Sequence, residues 1–334
     1  MIKKIKEFLK SDLAFIIGLF LFFLICNIKM NYFITVGGGI SDASERIKVE
    51  DKYDSKGSFN ISYVSQLDGN LLTYVLSYIV PSWERDEIEG YKYTKNETTA
   101  DIDNRSSYYL NLANSISTYW AYTLANKDVK LKSSHAYIIA ILSDNVKNLR
   151  VGDEVLDIDG ISFISFNACR EYINSREVGD ELVVNYIRDN KTKTQKVKVY
   201  EEDGEKYIGI SVSFKNEYDL DPEIDINFKK AESGSSGGLI TTLEIYNQLT
   251  KKDLTNGLTI AGTGTIEEDG SIGQIGGIDH KILGAVKGKA DVFLCPGGNN
   301  YKEAKKYIKD HNFKIKLIKV DTIQDAIEKL EDLK

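Results

Sequence analysis

One uncharged apolar run near the N-terminus limits this chain most. Leu13 to Ile28 reads LAFIIGLFLFFLICNI, with no charge and only Asn27 clearly polar. The run is slightly short for the hydrocarbon core of a bilayer, and Met30 to Val36 can extend it through the interface. Lys3, Lys4, Lys6 and Lys10 precede it, and Lys29 is the only nearby basic residue after it. That asymmetry predicts a cytosolic N-terminus, with the rest of the chain outside the cell. The competing reading is a cleaved signal peptide. No small-x-small cleavage site follows the run, where the text is NIKMNYF, so an uncleaved anchor is favoured. Residues 1–34 are therefore read as a cytosolic tail and single-pass transmembrane helix, with Leu13 to Ile28 in the membrane.

The remainder has the make-up of globular protein. With 334 residues, 42% hydrophobic content and a net charge of -7, it can build two or three domains with real cores. Mild acidity with interspersed lysines argues against nucleic acid as a partner. Cys26, Cys169 and Cys295 form no disulfide framework and read as three buried thiols. His135, His280 and His311 are scattered, and neither HExxH nor CxxC occurs. No metal and no cofactor is expected.

The expected fold class is α+β, in three parts after the anchor. Residues 35–130 read as a β-rich N-terminal region with one helix. ERIKVE and GSFNISYVSQ are its strands, Glu84 to Arg105 is polar enough for a mobile loop, and Tyr108 to Leu124 has helical spacing. Residues 131–203 change character. AYIIAIL, EVLDIDG, ELVVNYIRD and KTQKVKVY are strands, Ser165 to Ser175 is an amphipathic helix, and turns are predicted at Asp159-Gly160 and Asn190-Lys191. From 204 to 334 strands alternate with helices. YIGISVSFK, EIDINF, GLTIAGTGTI, ADVFLC and FKIKLIKV are the strands. Gly237 to Thr250, Ile278 to Lys287, Tyr301 to His311 and Thr322 to Leu333 are the helices.

The middle part resembles a bacterial PDZ domain, most closely in Val151-Gly152-Asp153-Glu154-Val155-Leu156-Asp157-Ile158-Asp159-Gly160. The resemblance implies a groove that takes an extended peptide by adding a strand to a sheet edge. Leu131 to His135 (LKSSH) carries no glycine loop that could hold a terminal carboxylate, and which residues contact a peptide is left unknown.

Chemistry is suggested by Glu232-Ser233-Gly234-Ser235-Ser236-Gly237-Gly238. This Gly/Ser-rich text lies between a strand and a strongly periodic helix, where a flexible linker has no purpose. A serine there meets a helix N-terminus, whose amides favour developing negative charge. Its hydroxyl needs a base. His280 and His311 read as surface residues, and His280 points about 100° away from Lys281 on the same helix. A buried lysine can lose its proton and act instead. Lys281, after Gly276-Gly277, is the candidate, although residue type alone does not single it out among many lysines.

The segment from Phe228 to Asn299 resembles the proteolytic domain of the Lon family. That family's nucleophile motif, acid-Gly-Pro-Ser-Ala-Gly, aligns with Ser233-Gly234-Ser235-Ser236-Gly237-Gly238. Its Thr-Gly-Glu, Pro-Ile-Gly-Gly-Leu with a lysine three residues on, and Pro-x-x-Asn align with three further segments. These are Thr263-Gly264-Thr265, Gln274-Ile275-Gly276-Gly277-Ile278 with Lys281, and Pro296-Gly297-Gly298-Asn299. Ser233, Ser235 and Thr265 depart from the family's acid, proline and glutamate. The resemblance implies a Ser236/Lys281 catalytic dyad supported by Thr263 and Gly237, acyl transfer to Ser236, and peptide or protein substrates. It also allows a homo-oligomer, since such domains often form rings.

No GxxxxGK[ST] occurs, so no P-loop ATPase is expected on this chain. The order of parts resembles the membrane-anchored PDZ/Lon-like serine peptidases of Gram-positive bacteria. The expected function is an ATP-independent endopeptidase acting on exported peptides or on membrane and secreted proteins. The alternative is a non-catalytic, PDZ-based peptide-binding scaffold at the cell surface.

Overall fold

A computed structural model describes residues 13–143 and 146–333. Lys3, Lys4, Lys6 and Lys10, on which the predicted orientation rests, lie outside them. The chain divides into two units. One holds the described residues up to Gly37 together with Val64–Tyr91, and the other holds Gly38–Tyr63 and the chain from Lys92 onward.

In the first unit the apolar run is helical over Leu13–Cys26. Its 14 residues span about 21 Å at ~1.5 Å per residue, against about 30 Å for a bilayer core. Among the described residues no helix is long and apolar enough to cross a membrane, so the transmembrane helix expected from the sequence is not met. Tyr32 to Thr35 then pair antiparallel with Glu84 to Glu87. A short helix, Leu71–Leu76, is capped reciprocally by Asn70 and Thr73.

The second unit contains two sheets of note. Four parallel segments, in the order Lys316–Val320, Val292–Pro296, Thr259–Gly262 and Ser58–Ile61, form the first. The helices Gly238–Leu249, Ile278–Lys287, Gly298–Asp310 and Ile323–Glu331 accompany them. Residues such as Leu239, Ile240, Leu243, Leu294 and Ile327 merge into one core because parallel strands are buried on both faces. The edge strand comes from about 200 residues upstream. The stretch 35–130, which reads in the sequence as a separate region, thus supplies a strand to the C-terminal sheet.

The second sheet is antiparallel, in the order Ile210–Asp221, Asp128–Ile141, Glu154–Ile158, Glu181–Arg188 and Lys191–Lys198. The helix Phe166–Asn174 covers it, N-capped by Ser165. Two local expectations shift. The tight hairpin turn is Asp189-Asn190, both with positive φ, one residue earlier than predicted. The strand that begins at Ile210 joins this sheet rather than the C-terminal one.

The helix Thr99–Leu124 is nine residues longer at its start than the sequence suggests, so the end of the predicted mobile loop is ordered. Thr98 and Asp101 form a capping box. Arg105 is buried and makes a two-pronged ion pair with Glu97, at 2.7 and 2.9 Å. Such a planar fork offsets the cost of removing both charges from water.

Candidate active site

The C-terminal end of the strand Thr259–Gly262 and two helix N-termini converge on one point. Ser236 lies in the turn just before the helix Gly238–Leu249. Its carbonyl accepts the Gly264 amide at 2.8 Å and the Thr263 hydroxyl at 3.0 Å. The Gly234 amide donates to the Ser106 carbonyl at 2.9 Å, which ties the turn to the helix Thr99–Leu124. Gly238 must stay small: a Cβ there would lie 2.9 Å from the Ile266 backbone nitrogen.

Lys281 arrives from the helix Ile278–Lys287. Gly277, the residue before that helix, has φ +65°, a left-handed geometry that glycine adopts without penalty. The loop ahead of it is pinned by Asn300. Its side chain accepts the Ile275 amide at 2.8 Å and donates to the Ile275 carbonyl at 2.9 Å. Gln274 bridges onward to the Gly297 carbonyl at 2.6 Å and accepts the Asn300 amide at 2.9 Å.

The outcome is a three-residue contact. Lys281 Nζ lies 2.8 Å from Ser236 Oγ and 2.9 Å from Thr263 Oγ1. Lys281 is only 3% exposed and Thr263 is fully buried. Burial pushes the Lys281 ammonium down to about 8. A charged amine is costly to keep away from water.

Hydroxyl proton positions follow from the acceptors. Thr263 gives its proton to the Ser236 carbonyl, so its oxygen can only accept from Nζ. A neutral Lys281 amine then keeps its lone pair for the Ser236 hydroxyl. The arrangement can move a proton from a serine to a lysine.

Sequence reasoning named Ser236, Lys281, Thr263 and Gly237, and these lie together. Of the adjacent pair Ser235-Ser236, it is Ser236 that contacts the lysine. Asn299, aligned with the family asparagine, is exposed, and the neighbouring Asn300 makes the bonds. Only a register choice within Asn299-Asn300 could have found it. His280 is buried, at 5% exposure, contrary to its reading as a surface residue. It lies on a helix that buries Ile278, His280, Lys281 and Ile282 together, so both positions face inward. His311 is exposed, as expected, and bonds to Tyr307 of its own helix. Cys169 and Cys295 are buried and Cys26 is half-buried; all three are free.

A groove of about 340 Å³ opens between the edge strand Ile210–Asp221 and the helix Phe166–Asn174. Val155, Phe166, Cys169, Ile173, Ile210 and Phe214 line it. Tyr207-Ile208-Gly209-Ile210 leads into that strand, a glycine turn that sequence reading had placed in the C-terminal domain.

A family model for the PDZ domain matches residues 127–199. A second, for the Lon protease (S16) C-terminal proteolytic domain, matches residues 226–331. Two solved structures are similar in sequence over part of the chain. The PDZ domain of an SdrC-like protein from Listeria monocytogenes is 30% identical, covering 25% of this chain and 92% of that one, with a TM-score of 0.23. Its counterpart from Listeria innocua is 30% identical, covering 23% and 92%, with a TM-score of 0.22. The comparison with curated proteins finds no match.

Fold and domain matches together define a serine peptidase domain of the Lon type joined to a PDZ domain, a peptide- or protein-binding module. The chain carries a PDZ domain and a Lon-type proteolytic domain, a pairing consistent with a PDZ-containing Lon-like peptidase.

Proposed function

We propose that this protein is an ATP-independent serine endopeptidase that uses Ser236 as nucleophile and Lys281 as general base. The observation that carries this reading is the 2.8 Å contact between Lys281 Nζ and Ser236 Oγ. With the ammonium lowered to about 8, about a quarter of Lys281 is neutral at pH 7.5. At its ordinary value the neutral fraction would be about one in a thousand.

In the proposed reaction neutral Lys281 takes the Ser236 proton as Oγ attacks a peptide carbonyl. The oxyanion forms beside the amides of Ser236 and Gly237, which have no protein acceptor among the described residues. Each such donor is worth ~3 kcal/mol in the transition state. Lys281 then gives its proton to the leaving amine, the C–N bond breaks, and water hydrolyses the acyl-enzyme by the reverse proton path. Thr263 and Gly237 support this: one orients the amine and the other leaves room for the chain.

Substrates are proposed to be exported peptides or membrane and secreted proteins, cleaved outside the cell. Anchoring through Leu13 to Ile28 is part of the same proposal, supported by a helix whose apolar side chains are exposed on every side. The groove beside the strand Ile210–Asp221 is proposed to take an extended peptide as an added strand, with the Tyr207–Ile210 turn at the terminal carboxylate.

The test is cleavage of an unstructured protein substrate without nucleotide. Ser236→Ala and Lys281→Ala each abolish turnover while preserving the thermal transition. Wild-type rates in both variants would sink the proposal. Turnover that is absent from the wild type, with peptide binding retained, would favour the scaffold alternative.

A further inference from the structure

The first unit carries a second apolar surface that the anchor does not account for. Leu72 and Val75 of the helix Leu71–Leu76, with Tyr78 and Ile79 of the turn that follows, are 43, 48, 65 and 68% exposed. Leu72, Val75 and Ile79 recur at spacings of three and four, so they form one stripe. A stripe of this size on water is unfavourable, each fully exposed side chain forgoing roughly 1.5–3 kcal/mol of burial.

Two observations identify what covers it. The Leu71 amide donates to the Ile28 carbonyl at 2.9 Å, so the short helix begins where the apolar segment ends. Whatever depth that end occupies, the stripe begins within one helical turn of it and runs on for about two turns, ~11 Å from Leu72 to Ile79 at ~1.5 Å per residue. Amphipathic groups also border the stripe. Tyr32 packs on Tyr74 with ring centroids 5.2 Å apart, the Tyr74 and Tyr78 hydroxyls are 3.0 Å apart, and the Arg85 guanidinium lies 3.9 Å over the Tyr78 ring. Tyrosines with a cation beside an apolar face suit the headgroup level of a bilayer. A protein partner would give no reason for this stripe to begin at the end of the apolar helix.

We infer that Leu71 to Ile79 is a second membrane contact, lying in the glycerophospholipid interface with Leu72, Val75 and Ile79 toward the acyl chains and Arg85 toward phosphate. This inference rests on the proposed anchoring of Leu13 to Ile28. An interfacial helix of this kind buries its apolar face about 5–10 Å into the headgroup boundary.

The test uses the full chain reconstituted in vesicles of phosphatidylcholine and phosphatidylglycerol. Ile79→Trp and, separately, Leu72→Trp add a fluorophore at exposed positions. Ile164→Trp, in the other unit next to the groove residue Phe163 and 72% exposed, is the control. Flotation is measured first, and then loss of the added emission by acyl-brominated phosphatidylcholine and by aqueous iodide.

The expected result is a chain that floats, with emission at 79 and 72 lost to the brominated lipid and spared by iodide. The control should show the reverse. Two outcomes on a floating chain overturn the inference and leave anchoring intact. Quenching at both positions by iodide alone means that the stripe faces water, and protection from both agents means that protein, such as a second copy, covers it. A chain that does not float removes the anchoring reading and this inference with it.

Discussion

Thr263 donates its hydroxyl proton to the Ser236 carbonyl at 3.0 Å, and that one bond decides the orientation of everything near it. The Thr263 oxygen is left to accept from Lys281, and the lysine lone pair is left for Ser236 Oγ. Thr263→Val removes both roles with little change in volume. A hydrogen bond to a charged amine is worth about 1.5–3 kcal/mol, so kcat should fall roughly 10- to 100-fold. The threonine oxygen stabilises the charged amine, so its loss should also move the rising limb of the pH–rate profile to lower pH. A drop in kcat with an unmoved limb would mean that Thr263 serves packing only.

Activity in the wild type should rise through about pH 8 as Lys281 loses its proton. The same burial weakens the fold. The amine's folded value lies below its ordinary 10.5, so its contribution to stability is present above 10.5 and lost as pH falls through about 8. The gap corresponds to about 3 kcal/mol of penalty at neutral pH. Lys281→Met should therefore abolish turnover yet raise stability at pH 7 by about 1–2 kcal/mol, after the two lost hydrogen bonds are counted. Denaturant titration at pH 7 and near pH 10.5 checks this, because the advantage should vanish at the higher pH.

Asn300 holds the loop before Lys281 by two bonds to Ile275. Asn300→Ala leaves the half-buried Ile275 amide and carbonyl without their side-chain partner, at a cost of about 1–3 kcal/mol. Peptidase kcat should fall well beyond what unfolding explains, because the loop no longer fixes where the lysine helix begins. Equal loss in kcat and in folded fraction would show that Asn300 has no positioning role.

Glu244, buried in the helix that follows Ser236, accepts from Gln248 at 2.6 Å. Burial raises its carboxyl to about 7. Its contribution to stability is therefore full below about 4.5 and is lost as pH rises to about 7. Glu244→Gln keeps an acceptor and should be more stable than wild type at pH 8 by about 3 kcal/mol. The two proteins should converge near pH 4, as read by thermal unfolding across that range.

Much of this site was legible before any coordinates. The ordered motifs around Ser236 and Lys281 named both residues, and helical periodicity set the bounds of Ile278–Lys287. What stayed hidden was long-range. No pattern in GSFNISYVSQ says that Ser58–Ile61 will pair with a strand about 200 residues away. The acidic and polar text up to Arg105 hid an ordered helix start, because a buried Arg105–Glu97 pair looks like surface charge when only residue types are read. The Tyr207–Ile210 turn was misplaced because its strand pairs backward in the chain, with Asp128–Ile141.

The distant origin of that edge strand has a consequence for synthesis. Ser62 donates to the Gly262 carbonyl at 2.8 Å across a separation of 200 residues, and Ser58–Ile61 completes the sheet on which Thr263 stands. Contacts so far apart in sequence form late. The first partner must wait on the ribosome while the whole PDZ segment is made, and the serine and lysine meet only after both have emerged. On the proposed mechanism a nascent chain is therefore inert until the helix that carries Lys281 has emerged: before that it cannot cut itself or its neighbours.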